Sequence, residues 1–436
     1  MSIRVRVPLF LLCFTYLMVF AGRTTAQSSN TTGATLQYAV MLGRHGVRSP
    51  LQAQADLDRY AAAPWPKWPV PPGILTPHGY GLIKLFGAWD RTRFSGQGLL
   101  AASGCADAPH VTILADTDQR TRATGSALAE GMLPGCTVKV HSRSFTMNDP
   151  LFRSLEAGVG HADTGLAMAA INGRIGGNAN NLTEVYRPQL AALDRVLAGC
   201  GHVRNENPDR VAILSVPANL APGNSRQPAA LRGPVPTAAM LVANLQLEYA
   251  EGMSKQNIGW GCVDGATLRS LMQLDVASWE YGTRTPVIAR ERASNLLYHI
   301  EKSMEQSVTG KPVAGALGSP GDKLLILVGH DTNIATVAGT LGLNWIVDGR
   351  VDDTPPGGAL LFEVWRPRNG GKPFVEVKYT AQTLEQMHNG QQLTAANPPV
   401  EDPIFVPACS RDDMSCTLDG FQAAVHHAID FAYVRP

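Results

Sequence analysis

Three short runs of apolar residues punctuate the chain, each ending abruptly. Residues 36–42 stop at Gly43, 111–115 at Asp116 and 324–328 at Gly329. These runs are apolar at almost every position rather than at every second one. That pattern suits strands covered on both faces, as in a mainly parallel sheet. Between the runs, apolar positions recur at helical spacing. Leu82, Leu85, Phe86 and Trp89 follow Thr76-Pro77, a helix start because proline suits the first turn. Segments 189–197, 237–249 and 286–303 also read as helices, and the Pro- and Gly-rich stretches 64–72 and 310–321 as loops. Segment 155–265 shows helices and loops but few clear strands. The expected fold is α/β: a mainly parallel central sheet flanked by helices, with a mostly helical cap insertion. The core occupies 33–154, the cap 155–265, and the core resumes over 266–436.

The chain's 436 residues fit such a core with an insertion. A net charge of +1 gives no general attraction for nucleic acid or an anionic membrane, so any anion binding must come from a local cluster. The N-terminus reads as a signal peptide, residues 1–26. Arg4 and Arg6 precede an apolar stretch, and Thr24-Thr25-Ala26 offers a cleavage site before Gln27. The mature protein is then periplasmic or secreted, with no membrane attachment after signal removal. Cys13 leaves with the signal. Cys105, Cys136, Cys200, Cys262, Cys409 and Cys416 remain, an even count that suggests disulfides in an exported chain. No CxxC pair supports a zinc site.

Candidate chemistry sits where the apolar runs stop, which is where open α/β sheets place their sites. The first run leads into Arg44-His45-Gly46-Val47-Arg48-Ser49-Pro50. Arg44 and Arg48 suit phosphate oxygens, and a neutral His45 is a competent nucleophile toward phosphorus. Gly46 is expected to allow a sharp turn and close approach to a ligand. The third run leads into His330-Asp331-Thr332, where Asp331 can protonate a leaving oxygen if the two strands are neighbours. The second leads into Asp116-Thr117-Asp118-Gln119-Arg120. Arg120 can complete a phosphate cradle at a helix N-terminus, or pair with an acid, and the two aspartates could instead hold a metal.

With these residues in view, the chain resembles the histidine acid phosphatases, branch 2 of the histidine phosphatase superfamily. It is most similar to the bacterial periplasmic acid phosphatase/phytase group and its glucose-1-phosphatase relatives. The resemblance rests on RHGVRSP, ADTDQRTRATG (115–125), RTPVIARERA (284–293), GHDTN (329–333) and DTPPGGALLFEVW (353–365). It implies that His45 takes the phosphoryl group, that Arg44, Arg48, Arg120 and His330 hold its oxygens, and that Asp331 is the proton donor. It implies no metal and no cofactor. Arg292, Met240 and Thr332 match substrate-binding positions, and Thr332 in place of Ser favours the phytase side. Gln52 and Ala243 depart from the Lys and acidic residue common in that group. Cys105–Cys136 and Cys409–Cys416 match family bridges. Cys200 and Cys262 are unmatched and are expected to pair with each other, while the usual bridge from cap to C-terminus is absent, with Gly160 at the cap position.

The reading is an exported, monomeric phosphomonoesterase with a phosphohistidine intermediate, phytase-like toward myo-inositol hexakisphosphate. The alternatives are a glucose-1-phosphatase or a broad-specificity acid phosphatase. Outside that class stand a phosphohistidine mutase and a non-catalytic phosphate binder. An acidic optimum is expected, because an ordinary aspartic acid donates only near its pKa of ~4.

Overall fold

The computed structural model describes residues 33–224 and 226–435; the expected signal segment lies outside the described residues. The first apolar run is β1 (Ala34–Arg44), the second β2 (Val111–Ala115), followed by β3 (Val140–His141). A hairpin of β4 (Asn219–Pro222) and β5 (Ala229–Arg232) stands apart from the main sheet. The third apolar run is β6 (Leu324–Gly329). After it come a small ribbon, β7 (Ile346–Val347) and β8 (Arg350–Val351), and then β9 (Ala359–Pro367), β10 (Phe374–Ala381), β11 (Val400–Ile404) and β12 (Ser415–Thr417). The eight-stranded sheet runs β11-β10-β9-β1-β6-β2-β3, with β12 also on β10. β1, β6, β2 and β3 are parallel, as the unbroken apolar runs imply.

Both faces of these strands are covered. Tyr38, Val40 and Leu42 pack on the long helix Pro286–Thr309, through Ala293, Leu297 and Ile300. Ala39 and Met41 face Ile83 and Phe86 of the helix Pro77–Gly96. A register shift between Leu36 and Tyr38 puts Leu36 on the same side as Ala39. The helix Pro77–Gly96 starts where Thr76-Pro77 predicts, with Thr76 Oγ1 accepting from Gly79 N at 2.9 Å. Helices Arg187–Leu197, Pro234–Ala250 and Gly265–Tyr281 share a separate apolar cluster built on Leu190, Leu193, Leu241, Leu245, Leu268 and Leu271. Disulfides join Cys105 to Cys136, Cys200 to Cys262 and Cys409 to Cys416.

Half of the sheet escapes the apolar-run signal. β9 pairs antiparallel with β1 and with β10, so the sheet is mixed around its parallel centre. Charged residues interrupt these strands, yet Glu363 is fully buried. Arg93 reaches it at 2.5 Å and Lys378 at 3.0 Å, so the charge is compensated inside the sheet layer.

Asp90, beside this network, is not compensated. It is buried, and neither carboxylate oxygen has a hydrogen-bond partner. Burial pushes Asp90 up to about 8, and burial likewise raises Glu248 and Asp275 to about 8. An unfolded carboxyl ionises near ~4, so between pH ~4 and ~8 the folded chain holds protons that the unfolded chain loses. The stabilising effect of these raised pKa values is present at low pH and is lost as pH rises toward about 8. The melting temperature is therefore expected to fall by several degrees between pH ~5 and ~8. Asp90→Asn should recover part of that fall; equal slopes of melting temperature against pH for both proteins would refute this account of Asp90.

Candidate active site

The carboxyl ends of β1, β6 and β2 are level, with Arg44 opposite Gly329 and Ala115 opposite Val328. The alignment continues beyond the strands: His45 N donates to Gly329 O at 3.1 Å and Asp116 N to Val328 O at 3.0 Å. The motifs that follow the three apolar runs therefore meet at one end of the sheet. A cleft in two adjoining lobes, of about 450 and 660 Å³, opens there. His45, Arg120 and His330 line one lobe, Arg44 and Met240 the other, and Arg48, Arg292, Asp331 and Thr332 line both. All nine site residues expected from the sequence thus border one cleft.

His45 is only 2% exposed, and its Nδ1 lies 2.8 Å from Gly46 O. A carbonyl can only accept, so Nδ1 carries the proton of the neutral ring and Nε2 keeps its lone pair. Burial first, and then the charges of Arg120, Arg44 and Arg48, hold His45 well below an ordinary imidazole. The ring therefore stays neutral in acid. Burial and Arg44 pull Arg48 down to about 9, which leaves it charged there. Arg44, Arg48 and Arg120 each keep a buried Nε with no hydrogen-bond partner, a set of donors suited to anionic oxygens.

Asp331 begins the helix Asp331–Leu341 and pairs with Arg44 at 3.1 Å. Burial pushes its carboxyl up, but Arg44, His330 and Arg48 outweigh burial and leave it below the usual carboxylate range. His330 Nε2 meets Asp116 Oδ2 at 2.6 Å, and its ring centroid is 5.5 Å from that of His45. Arg120 pairs with Asp118 at 2.5 Å, so the ion-pair alternative for Arg120 is realised in the cleft wall. Asp116, Asp118 and His330 are close enough to share a cation. However, Arg153 already holds Asp116 Oδ2 and Asp118 Oδ2, both at 2.7 Å, so a metal ion would have to displace it.

Gly46 has a different reason from the one expected. It does not adopt a positive φ. A Cβ there would instead lie 2.7 Å from Ile83 Cγ1, and a Cβ on Gly79 would lie 2.4 Å from Val47 O. The two glycines let the helix Pro77–Gly96 seat directly against the loop that carries His45.

Arg153 was not singled out by sequence reasoning, and the stretch 353–358 entered only within the motif 353–365, with no role given to it. Arg153 follows no apolar run. The stretch 353–358 fixes the loop that carries His45 from the far side: Arg44 N donates to Gly358 O at 2.9 Å, Gly357 N donates to His45 O at 3.1 Å, and the Arg44 guanidinium donates to Thr354 O. The Gly-Gly signal there is visible in the sequence, but its partners, His45 and Arg44, lie at the other end of the chain.

Comparison with known proteins agrees with this geometry. The description "Histidine phosphatase superfamily (branch 2)" matches residues 35–174 and 237–380. The chain is 35% identical to Phytase AppA of Escherichia coli (strain K12) over 404 residues, 90% of this chain and 92% of that protein. It is 27% identical to Glucose-1-phosphatase of Salmonella typhimurium, over 93% of this chain and 96% of that one. A solved Hafnia alvei phytase in complex with myo-inositol hexakis sulphate superposes with a TM-score of 0.84 at 36% identity, covering 93% of this chain and 100% of that structure. On its motifs, its fold and these likenesses, the chain belongs to branch 2 of the histidine phosphatase superfamily.

Proposed function

We propose that the protein is an acid phosphomonoesterase of phytase type, working through a phosphohistidine at His45. The observation that carries this reading is the paired state of His45: its Nδ1 is committed to Gly46 O, and its ring sits among Arg44, Arg48 and Arg120. Arg44, Arg48, Arg120 and His330 hold the oxygens of the phosphoryl group, whose spread charge they stabilise. The His45 Nε2 lone pair attacks phosphorus, and the bond from phosphorus to the ester oxygen breaks. Asp331 gives its proton to the departing oxygen. In the second half, Asp331 takes a proton from water as the water oxygen attacks phosphorus. The P–N bond breaks, restoring Nε2 and releasing phosphate.

The donor must gain a proton that Arg44 disfavours in the free protein. An incoming phosphate shares Arg44 and Arg48 and adds negative charge beside Asp331, which moves the carboxyl up. Rising pH removes that proton, while His45 remains neutral far into acid, so turnover increases as pH falls below ~6.

Of the candidate substrates, myo-inositol hexakisphosphate is the one the cleft suits, because Arg226 and Arg292 add charge beyond the cradle. Arg292, Met240 and Thr332 are the substrate-binding residues in this reading. Segment 155–265 serves as the cap, and the mature protein works as an exported monomer, with the three disulfides suited to an oxidising compartment.

The test is phosphate release at pH ~4.5 from myo-inositol hexakisphosphate, glucose 1-phosphate and p-nitrophenyl phosphate. The hexakisphosphate should give the highest kcat/KM. Glucose 1-phosphate in first place would replace the phytase reading with the glucose-1-phosphatase one, and no release from any of the three would sink the hydrolase.

A further inference from the structure

Residues 430–435 lie against the helix Pro286–Thr309 and reach the stretch that carries Arg153. Asp430 N donates to Ser294 Oγ and Arg435 N to Asn295 Oδ1, both at 2.9 Å. Both of these helix side chains are buried. Asn295 passes the contact on, because its Nδ2 donates to Pro150 O at 2.9 Å. Two further bonds run directly. Arg435 Nη2 donates to Gly158 O at 3.2 Å, and Tyr433 Oη donates to His161 O at 2.9 Å. The carbonyls of residues 150, 158 and 161 are thus all tied to segment 430–435. Gly160 shows how closely Tyr433 is fitted. A Cβ on Gly160 would overlap the Tyr433 ring, whereas Gly158, with the same φ of +76°, faces open space.

The other side of stretch 150–161 faces the cleft. Arg153 donates to Asp116 Oδ2 and Asp118 Oδ2, both at 2.7 Å, and these carboxylates in turn hold His330 and Arg120. Phe152 O accepts from Asn333 Nδ2 at 2.8 Å, on the helix that begins at Asp331. A guanidinium forked across two aspartates keeps both only while its backbone stays in place. Were Arg153 to drift, Asp116 and Asp118 would lose a cation. They would then draw His330 and Arg120 more strongly, away from a bound anion.

We propose that segment 430–435, keyed by the Tyr433 ring on Gly160, positions Arg153 and so sets the grip of Arg120 and His330 on phosphate. Tyr433 lines neither lobe of the cleft. It is a positioning residue that acts through Arg153. The inference rests on the phosphate cradle proposed above and adds to it a support from the opposite end of the chain.

Calorimetric titration of the mature protein with inorganic phosphate tests this, with amide hydrogen exchange followed on the same variants. Tyr433→Ala should weaken phosphate binding about fivefold and speed exchange across 150–161. Tyr433→Phe, which keeps the ring on Gly160, should stay within about twofold of wild type. Gly160→Ala should match Tyr433→Ala, while Gly158→Ala, with the same backbone angle and no ring to displace, should stay near wild type. Equal affinities for these two glycine variants would overturn the ring contact. In an Arg153→Lys background, where one ammonium replaces the fork, Tyr433→Ala should add less than about twofold. A full further loss there would overturn the route through Arg153, because a merely loosened fold would weaken binding in either background. Wild-type protein that binds no phosphate would refute the cradle reading instead. Faster exchange across 150–161 in Tyr433→Ala would then still support the positioning of Arg153, and unchanged exchange would overturn it.

Discussion

His45→Ala is expected to cut phosphate release by roughly ten-thousandfold or more while phosphate still binds. The loss should be that large because no other group in the cleft is set up as this one is. His45 has its Nδ1 proton fixed by Gly46 O, its ring is buried, and neighbouring guanidiniums keep it neutral in acid. His330, the other imidazole there, commits Nε2 to Asp116. Arg44, Arg48 and Arg120 are untouched by the substitution, so the dissociation constant for inorganic phosphate should move only a few-fold. A rate assay and a phosphate titration on the same preparation check both halves. If rate and affinity fall together, His45 holds the loop rather than attacking phosphorus.

Asp331→Asn is expected to lower kcat on myo-inositol hexakisphosphate by about 10²–10³, but on p-nitrophenyl phosphate by only a few-fold. An inositol alkoxide is a poor leaving group and needs the proton; a nitrophenolate leaves without it. The contrast matters because Asp331 also pairs with Arg44 at 3.1 Å, and breaking that pair could disturb the cradle. A disturbed cradle would slow both substrates alike. The variant should also lose the decline in rate that wild type shows as pH rises, since the titrating donor is gone. Equal losses on the two substrates would reassign Asp331 to positioning Arg44.

The centre of the molecule could be read from the sequence because its signals are local. Residues 36–42, 111–115 and 324–328 are apolar on both sides because β1, β2 and β6 are covered on both faces. Each run ends at the residue where chemistry begins, so parallel pairing alone brings His45, Asp331 and Arg120 together. What escaped detection depends on contacts distant in sequence. β9 and β10 carry Glu363, Glu376 and Lys378, which read as solvated residues until Arg93 and the strands themselves pair them. Arg153 gains meaning only when it reaches Asp116 and Asp118, more than thirty residues earlier. Gly46 signalled a special backbone position, but the constraint is the approach of Ile83 and Gly79, which the motif does not reveal. Arg226 sits in a turn with no motif, and only the fold of the hairpin carries it to the cleft.

The most direct measurement is to trap the intermediate. Wild-type protein is mixed with myo-inositol hexakisphosphate at pH ~4.5, quenched rapidly into alkali, where phosphohistidine survives, and digested for peptide mass spectrometry. The mechanism predicts phosphate on the peptide that carries His45, attached at the ring, and none in His45→Ala. Active wild-type protein with no phosphorylated His45, or with the phosphoryl group on another residue, would contradict it.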